Sequence, residues 1–206
     1  MRVAIISPNQ NAYSETFIQA HRKIDSSVLY YFGGNIPNQL EGYGYLGKNF
    51  FFLQKLFIRA IKTLFKNEYS YAEYVLANSF KKRRVDVVLA EFGTTGASLT
   101  NICKKSQIPL VTIFHSADAS IRDLIDTYKE KYSELFTYSI RIVAVSKIIA
   151  LRLQEMGCLK EKIIYTPCAP SDKFIEIIPT FKEKKSFVAL GRFVEKKAPY
   201  YTILAI

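Results

Sequence analysis

Gly191 and Arg192 close a short apolar run, and Lys197 follows within one loop. An arginine fork and a lysine at the end of a strand suit a diphosphate, whose charge is spread over several oxygens. A solvated basic loop would carry the same residues. His115 closes another apolar run, Leu110 to Phe114. An imidazole there can hydrogen-bond a hydroxyl or help polarise a bond, and it changes charge near neutral pH. A structural histidine at a strand end would look the same. Asp118 stands close enough to cap a helix beginning near Ala119. Ser14 is a suitable N-cap for a helix carrying Phe17 and Ile18, and Glu15 complements that helix's dipole. In a functional reading Glu15 and Thr16 line a cleft. His21 lies inside the same helix and shares its spacing with no third metal-type ligand, so no metal site is expected. The run Glu91-Phe92-Gly93-Thr94-Thr95-Gly96 stands after a further apolar strand, with glycines that suit tight turns.

These residues share one kind of position because apolar runs alternate with helical spacing along the chain. Val3 to Ser7 leads into Ser14 to Ile24, and Ser27 to Phe32 ends at Gly33-Gly34. Val85 to Ala90 precedes Gly96 to Lys105, Leu110 to Phe114 precedes Ala119 to Leu135, and Ile142 to Ser146 precedes Lys147 to Met156. Continuously apolar strands alternating with helices predict an α/β fold, a doubly wound parallel sheet. Ligands bind such sheets outside the carboxyl ends of the strands, where His115 and the residues after Ala90 stand. After Ile163-Ile164-Tyr165 the pattern changes to Pro167, Pro170, Pro179 and the charged run Lys182-Glu183-Lys184-Lys185. This marks a linker over 171–185 between a first domain, 1–170, and the opening of a second, 186–206. A fresh strand is expected over Ser186 to Leu190, and one strand and part of a helix cannot bury a core. The second domain is therefore expected to be truncated.

Composition narrows the class. In 206 residues, 49% are hydrophobic and 14% aromatic, enough to fill a core and too many for a disordered chain. Cys103, Cys158 and Cys168 are odd in number and form no CxxC, which excludes a disulfide scaffold and fits a reducing compartment such as the cytoplasm. The net charge of +11 implies an acidic partner. Nucleic acid is not indicated, since no aromatic RNA-binding signature, helix-turn-helix cue or Cys/His finger is present. Between Lys48 and Arg84, nine Lys or Arg residues stand against two acids. Lys55, Arg59, Lys62 and Lys66 recur at helical spacing beside Phe50, Leu53 and Phe57. Such a helix can lie peripherally on an anionic membrane face. A helix packed on the sheet with its charged side in water fits the same spacing. No apolar stretch reaches the roughly 18 residues a spanning helix needs.

Four passages together resemble the retaining glycosyltransferases of family 4, which have the two-domain GT-B fold. They are Ser14-Glu15-Thr16-Phe17-Ile18, then Phe114-His115-Ser116-Ala117-Asp118, then Val143-Ala144-Val145-Ser146 through Gly157 to Pro167. The last is Leu190-Gly191-Arg192-Phe193-Val194-Glu195-Lys196-Lys197-Ala198. The resemblance implies a Rossmann-like amino-terminal, acceptor-side domain followed by the first strand and turn of a donor-binding domain. It implies transfer of a sugar, with retention, from a nucleotide-sugar donor to a lipid-linked or polysaccharide-precursor acceptor. No cofactor is implied, the nucleotide sugar being substrate. His115 would lie near the transferred sugar, Arg192 and Lys197 would hold the donor diphosphate, and Ser14, Glu15, Thr16 and Asp118 would lie on the acceptor side. The family's glycine-rich turn after the first strand is replaced here by Pro8-Asn9-Gln10-Asn11-Ala12, and its E-x7-E motif is absent. A chain of this extent is expected to be inactive alone. The competing class is a non-catalytic, membrane-associated Rossmann-like binding module.

Overall fold

Val3–Ile6, an uninterrupted VAII run, forms β1, and its pairing on both sides puts it inside the sheet. The computed structural model describes residues 1–13, 15–47, 70–170, 172–178 and 188–205. These fall into two units, Met1–Ala169 and Pro170–Ile206. In the first unit β1 is followed by α1 (Thr16–His21), β2 (Leu29–Phe32) and a hairpin of β3 (Gln39–Leu40) and β4 (Gly44–Tyr45). Then come α2 (Tyr71–Arg83), β5 (Val87–Ala90), α3 (Gly93–Ser106), β6 (Leu110–Phe114), α4 (Arg122–Tyr138), β7 (Arg141–Ala144), α5 (Lys147–Glu155) and β8 (Ile163–Tyr165).

The eight strands form one sheet in the order β4-β3-β2-β1-β5-β6-β7-β8. All pairings from β2 to β8 are parallel, and only the β2–β3–β4 pairings are antiparallel. The expected doubly wound α/β architecture is therefore the observed one. The short hairpin was not expected. Gly42 in its turn and Gly44 at the start of β4 have φ of 72° and 91°, which glycine adopts without strain. Topology matters most at β1. The chain leaves it on one side for β2 and returns on the other as β5, so the connections after β1 and β5 diverge and open a crevice at their carboxyl ends.

Alternation along β1 sends side chains to both faces. Ala4 and Ile6 join the main core with Tyr31, Leu76, Phe80, Val88, Leu99, Leu110, Phe114 and Tyr132. Ile5 faces the other way into a smaller cluster with Ile18, Tyr30 and Phe32, against which Phe17 and Phe92 pack. Thus α1 covers one face while α2, α3 and α4 cover the opposite one. Local signals start two of these helices. Ser70 accepts from the Glu73 N–H while Glu73 accepts from the Ser70 N–H, a capping box for α2. The Ser146 hydroxyl accepts from the Ile149 N–H at 3.1 Å and caps α5.

Three local expectations are corrected. Helix α1 starts at Thr16, with Glu15 in the N-cap position and no side-chain cap hydrogen bond from it; Ser14, the expected cap, lies outside the described residues. Gly93 and Gly96 are not turn residues, since both lie inside α3. They are glycines because a Cβ at Gly93 would meet the Phe114 ring at 2.5 Å and one at Gly96 would press on Thr112. In the second unit, 188–190 carry no strand, in contrast to the expected Ser186 to Leu190. No described strand offers them a ladder, and an unpaired run has nothing to hold it extended. That unit contains the short helices α6 (Asp172–Ile175) and α7 (Pro199–Leu204), with Val188, Leu190, Phe193 and Leu204 exposed. The basic helix expected through Lys55, Arg59, Lys62 and Lys66 lies outside the described residues.

Candidate functional site

Three elements deliver titratable groups to the crevice beside β1. Glu91 directly follows β5, His115 directly follows β6, and His21 ends α1, which follows β1. The parallel register sets the two strand ends side by side, Ala90 pairing with Thr112. Glu91 is 0% exposed, yet it comes from a strand end rather than a surface loop. His21 Nδ1 lies 2.8 Å from Glu91 Oε1, and His115 Nε2 faces Glu91 Oε2 at 3.9 Å. That second separation is beyond hydrogen-bond reach. Both atoms of this longer contact, Glu91 Oε2 and His115 Nε2, are buried and unpartnered.

The His115 ring lies between two aromatic rings, and its backbone is tied separately. Phe17 lies against it at 4.4 Å between centroids and Phe92 at 5.0 Å. Its backbone N–H donates to Asp118 Oδ2 at 3.0 Å. The backbone N–H groups of His115, Gly93 and Thr94 lie close enough to the Asp118 carboxyl to favour its ionised form. No helix begins near Ala119 for Asp118 to cap: 117–119 is a single 3-10 turn, and α4 begins only at Arg122. Burial pushes the Asp118 carboxyl above the usual range against the lowering effect of the N–H groups.

The loop after β1 forms the crevice's outer wall. Asn9 Nδ2 donates to Glu15 Oε1 at 3.0 Å, and the Tyr30 hydroxyl donates to the Asn9 carbonyl at 2.5 Å. Arg22 lies over the Tyr30 ring at 4.2 Å and pairs with Glu41. Glu15 is partly buried and Thr16 exposed at this wall. Farther along, the Thr95 hydroxyl donates to Asn35 Oδ1 at 3.0 Å.

Electrostatics join the three central groups. The hydrogen bond with Glu91 raises His21 above its usual 6.5, burial opposes this, and the carboxylate's charge adds to it. Burial alone would push Glu91 up, but the neighbouring His115 and His21 reverse that and bring it below 4.5. A histidine raised in the folded state gives its full stabilisation below 6.5 and loses it as pH rises through the folded value. A depressed carboxylate gives its stabilisation above 4.5 and loses it as pH falls through the folded value. The pair therefore holds best between pH 4.5 and 6.5. In thermal melts the gap between wild type and His21→Gln is expected to be widest in that window and to shrink toward about pH 8. A gap that stays constant as pH rises would contradict an ionic His21–Glu91 pair.

Of the residues singled out in the sequence, the fold brings His115, Asp118, Glu15 and Thr16 to this edge. Arg192 and Lys197 lie in the second unit, exposed on the single turn around Glu195–Lys197. Glu91 and His21 were not singled out as site residues. A carboxylate immediately after an all-apolar strand was the available signal for Glu91. Nothing in the sequence pointed to His21, whose partner is 70 residues away. Among the described residues no group of three His, Cys, Asp or Glu side chains could hold a metal ion, and no helix is long and apolar enough to cross a membrane.

No protein-family model matches the chain. Over 82 residues it is 37% identical to WcaL of Escherichia coli (strain K12), by name a colanic acid biosynthesis glycosyltransferase. Over 127 residues it is 29% identical to AmsK of Erwinia amylovora, an amylovoran biosynthesis glycosyltransferase. The chain is similar to glycosyltransferases of polysaccharide biosynthesis. These matches take in 39% and 60% of this chain but only 20% and 31% of the relatives' own length. Among solved structures, Anabaena Alr3699/HepE in complex with UDP matches 87% of this chain and 47% of its own, with a TM-score of 0.61 at 10% identity. A UDP-N-acetylglucosamine 2-epimerase from Rickettsia bellii matches 82% of this chain with a TM-score of 0.50. At such identities the likeness is one of fold, and it agrees with the Rossmann-like architecture expected of a GT-B amino-terminal domain.

Proposed function

We propose that these residues form the acceptor-side, amino-terminal domain of a retaining glycosyltransferase of the family 4 type. It moves a sugar from a nucleotide donor to a lipid-linked or polysaccharide-precursor acceptor. The observation that carries the reading is His115 at the carboxyl edge of the sheet, backed by a buried carboxylate, in a chain whose curated relatives are named glycosyltransferases. The solved complexes of HepE with UDP and UDP-glucose support a nucleotide-sugar donor. His115 meets the transferred sugar, and Glu15 and Thr16 lie on the acceptor side. Arg192 and Lys197 neutralise the departing diphosphate, the step at which positioned charge contributes most. The polypeptide acts peripherally at an anionic membrane face through Lys55, Arg59, Lys62 and Lys66.

Two exposed basic side chains give little affinity by themselves, about 0–1 kcal/mol for an exposed ion pair. The chain of 206 residues alone is accordingly expected to bind UDP- and GDP-sugars immeasurably weakly by isothermal titration and to transfer no sugar. A protein carrying these residues together with a donor-binding domain is expected to transfer sugar from a nucleotide donor. His115→Ala then lowers kcat/KM by about 100-fold or more, in the range for removing a positioned polar group. No transfer from any nucleotide sugar by that protein, or full activity of His115→Ala, would overturn the reading.

A further inference from the structure

The carboxylate at the centre of the crevice uses only one of its two oxygens. Glu91 Oε1 is engaged by His21, while Oε2 is buried, unpartnered and aimed at the equally unpartnered Nε2 of His115. A buried ion pair serving stability alone would be expected to satisfy both oxygens, because a desolvated carboxylate oxygen without a donor is costly. Here the second oxygen is kept facing an imidazole whose ring is clamped by Phe17 and Phe92 and whose backbone is tied to Asp118. The ring cannot readily turn away from the carboxylate. Exposure is graded along the group: the His21 side chain is 29% exposed, His115 12% and Glu91 0%.

We propose that Glu91 is a positioning residue for His115: shared with His21, its charge 3.9 Å from Nε2 keeps the His115 proton on that nitrogen, so that Nδ1 meets a sugar hydroxyl as a hydrogen-bond acceptor. The chemistry follows from the donor inventory. A neutral imidazole has one N–H and one lone pair, and the nitrogen facing a carboxylate takes the N–H. No described contact engages His115 Nδ1. A ligand hydroxyl, itself a donor, then finds a fixed acceptor. His115 and His21 both favour the ionised carboxylate, which is the state that holds the tautomer. The other groups facing this unit are the Tyr30 hydroxyl from β2, the Cys168 thiol after β8 and, toward His115, the Asp118 carboxylate. None of them is a cation, so the two histidines are the described groups that favour the ionised form of Glu91. The identity of the hydroxyl as a sugar's rests on the transferase reading, and the tautomer does not.

The test is made on the intact chain labelled with 15N at histidine, by multiple-bond 1H–15N correlation across about pH 5 to 8, the range in which imidazoles titrate. Wild-type neutral His115 is expected as the Nε2–H tautomer. In Glu91→Gln the charge facing Nε2 is gone, so the major His115 tautomer is expected to switch to Nδ1–H, and the His21 midpoint is expected to fall. A wild-type Nδ1–H tautomer overturns the proposal without any variant being made. A folded Glu91→Gln protein in which His21 shifts and the His115 tautomer does not also overturns it, leaving a purely structural pair. Where Glu91→Gln does not fold, His21→Gln provides the second reading: with the His21 cation gone the carboxylate's charge falls on His115 alone, so the Nε2–H population is expected to hold or rise, and a switch to Nδ1–H overturns the proposal. Because no donor is present, failure of sugar transfer with the tautomer intact counts against the transferase reading alone.

Discussion

Phe114→Ala is expected to lower folding stability by about 3–5 kcal/mol, the range for truncating a fully buried aromatic. Phe114 is 0% exposed at the last position of β6. Its ring meets Tyr132 at 5.3 Å and Phe136 at 5.8 Å, both from α4, and the start of α3 rests on its other side. Two helices converge on one side chain, so the cavity has little freedom to collapse. For a domain of this size the loss corresponds to a fall in melting temperature of roughly 6–20 °C at about 2–4 °C per kcal/mol. Because His115 is the next residue, the variant should also loosen the imidazole, seen as broadened or shifted His115 resonances in the histidine-labelled protein. Scanning calorimetry showing a loss under about 1 kcal/mol would mean that α3 and α4 close over the gap, contrary to the packing described here.

The second large effect is expected on the facing side of the same contact. Gly93→Ala would place a Cβ 2.5 Å from Cε1 of Phe114. Alanine is the better helix former by about 1 kcal/mol, so propensity alone predicts stabilisation. Close packing predicts the opposite, since forcing a methyl into a full core costs about 1–3 kcal/mol. The clash should win: the neighbour is an aromatic ring held by two others, not the free end of a flexible chain. The start of α3 would then be displaced from the neighbouring Asp118 carboxyl. A double-mutant cycle gives the sharper reading, because residues in contact do not add. Gly93→Ala should cost less in a Phe114→Leu background than in the wild type. Equal costs in both backgrounds would show that the glycine is required for some other reason.

Much of the architecture could be read from the residues. The Leu110–Phe114 strand was legible to the residue, and β1, β5 and β7 nearly so, because a strand buried on both faces must be continuously apolar. Helix ends were less legible. Gly93 and Gly96 suggested a turn, and only the ring and hydroxyl pressing on them explain why glycine stands inside a helix. The β3–β4 hairpin is two residues per strand, too short for any periodicity to register.

For the site, the division follows sequence distance. The chain by itself determined that His115 ends a buried strand and so stands at the ligand edge, since that follows from the local pattern and a general property of parallel sheets. It also carried, through four short passages, the resemblance to sugar-transferring enzymes. Tertiary structure alone decided that His21 and Glu91 belong with His115. Glu91 lies 70 residues from His21 and 24 from His115, and they meet only because β5 inserts between β1 and β6. Local propensity sees a helix-ending histidine and a carboxylate after a strand. Their shared burial, the opposed unpartnered atoms and the resulting charge states come from strand order, which is set by the packing of the whole sheet.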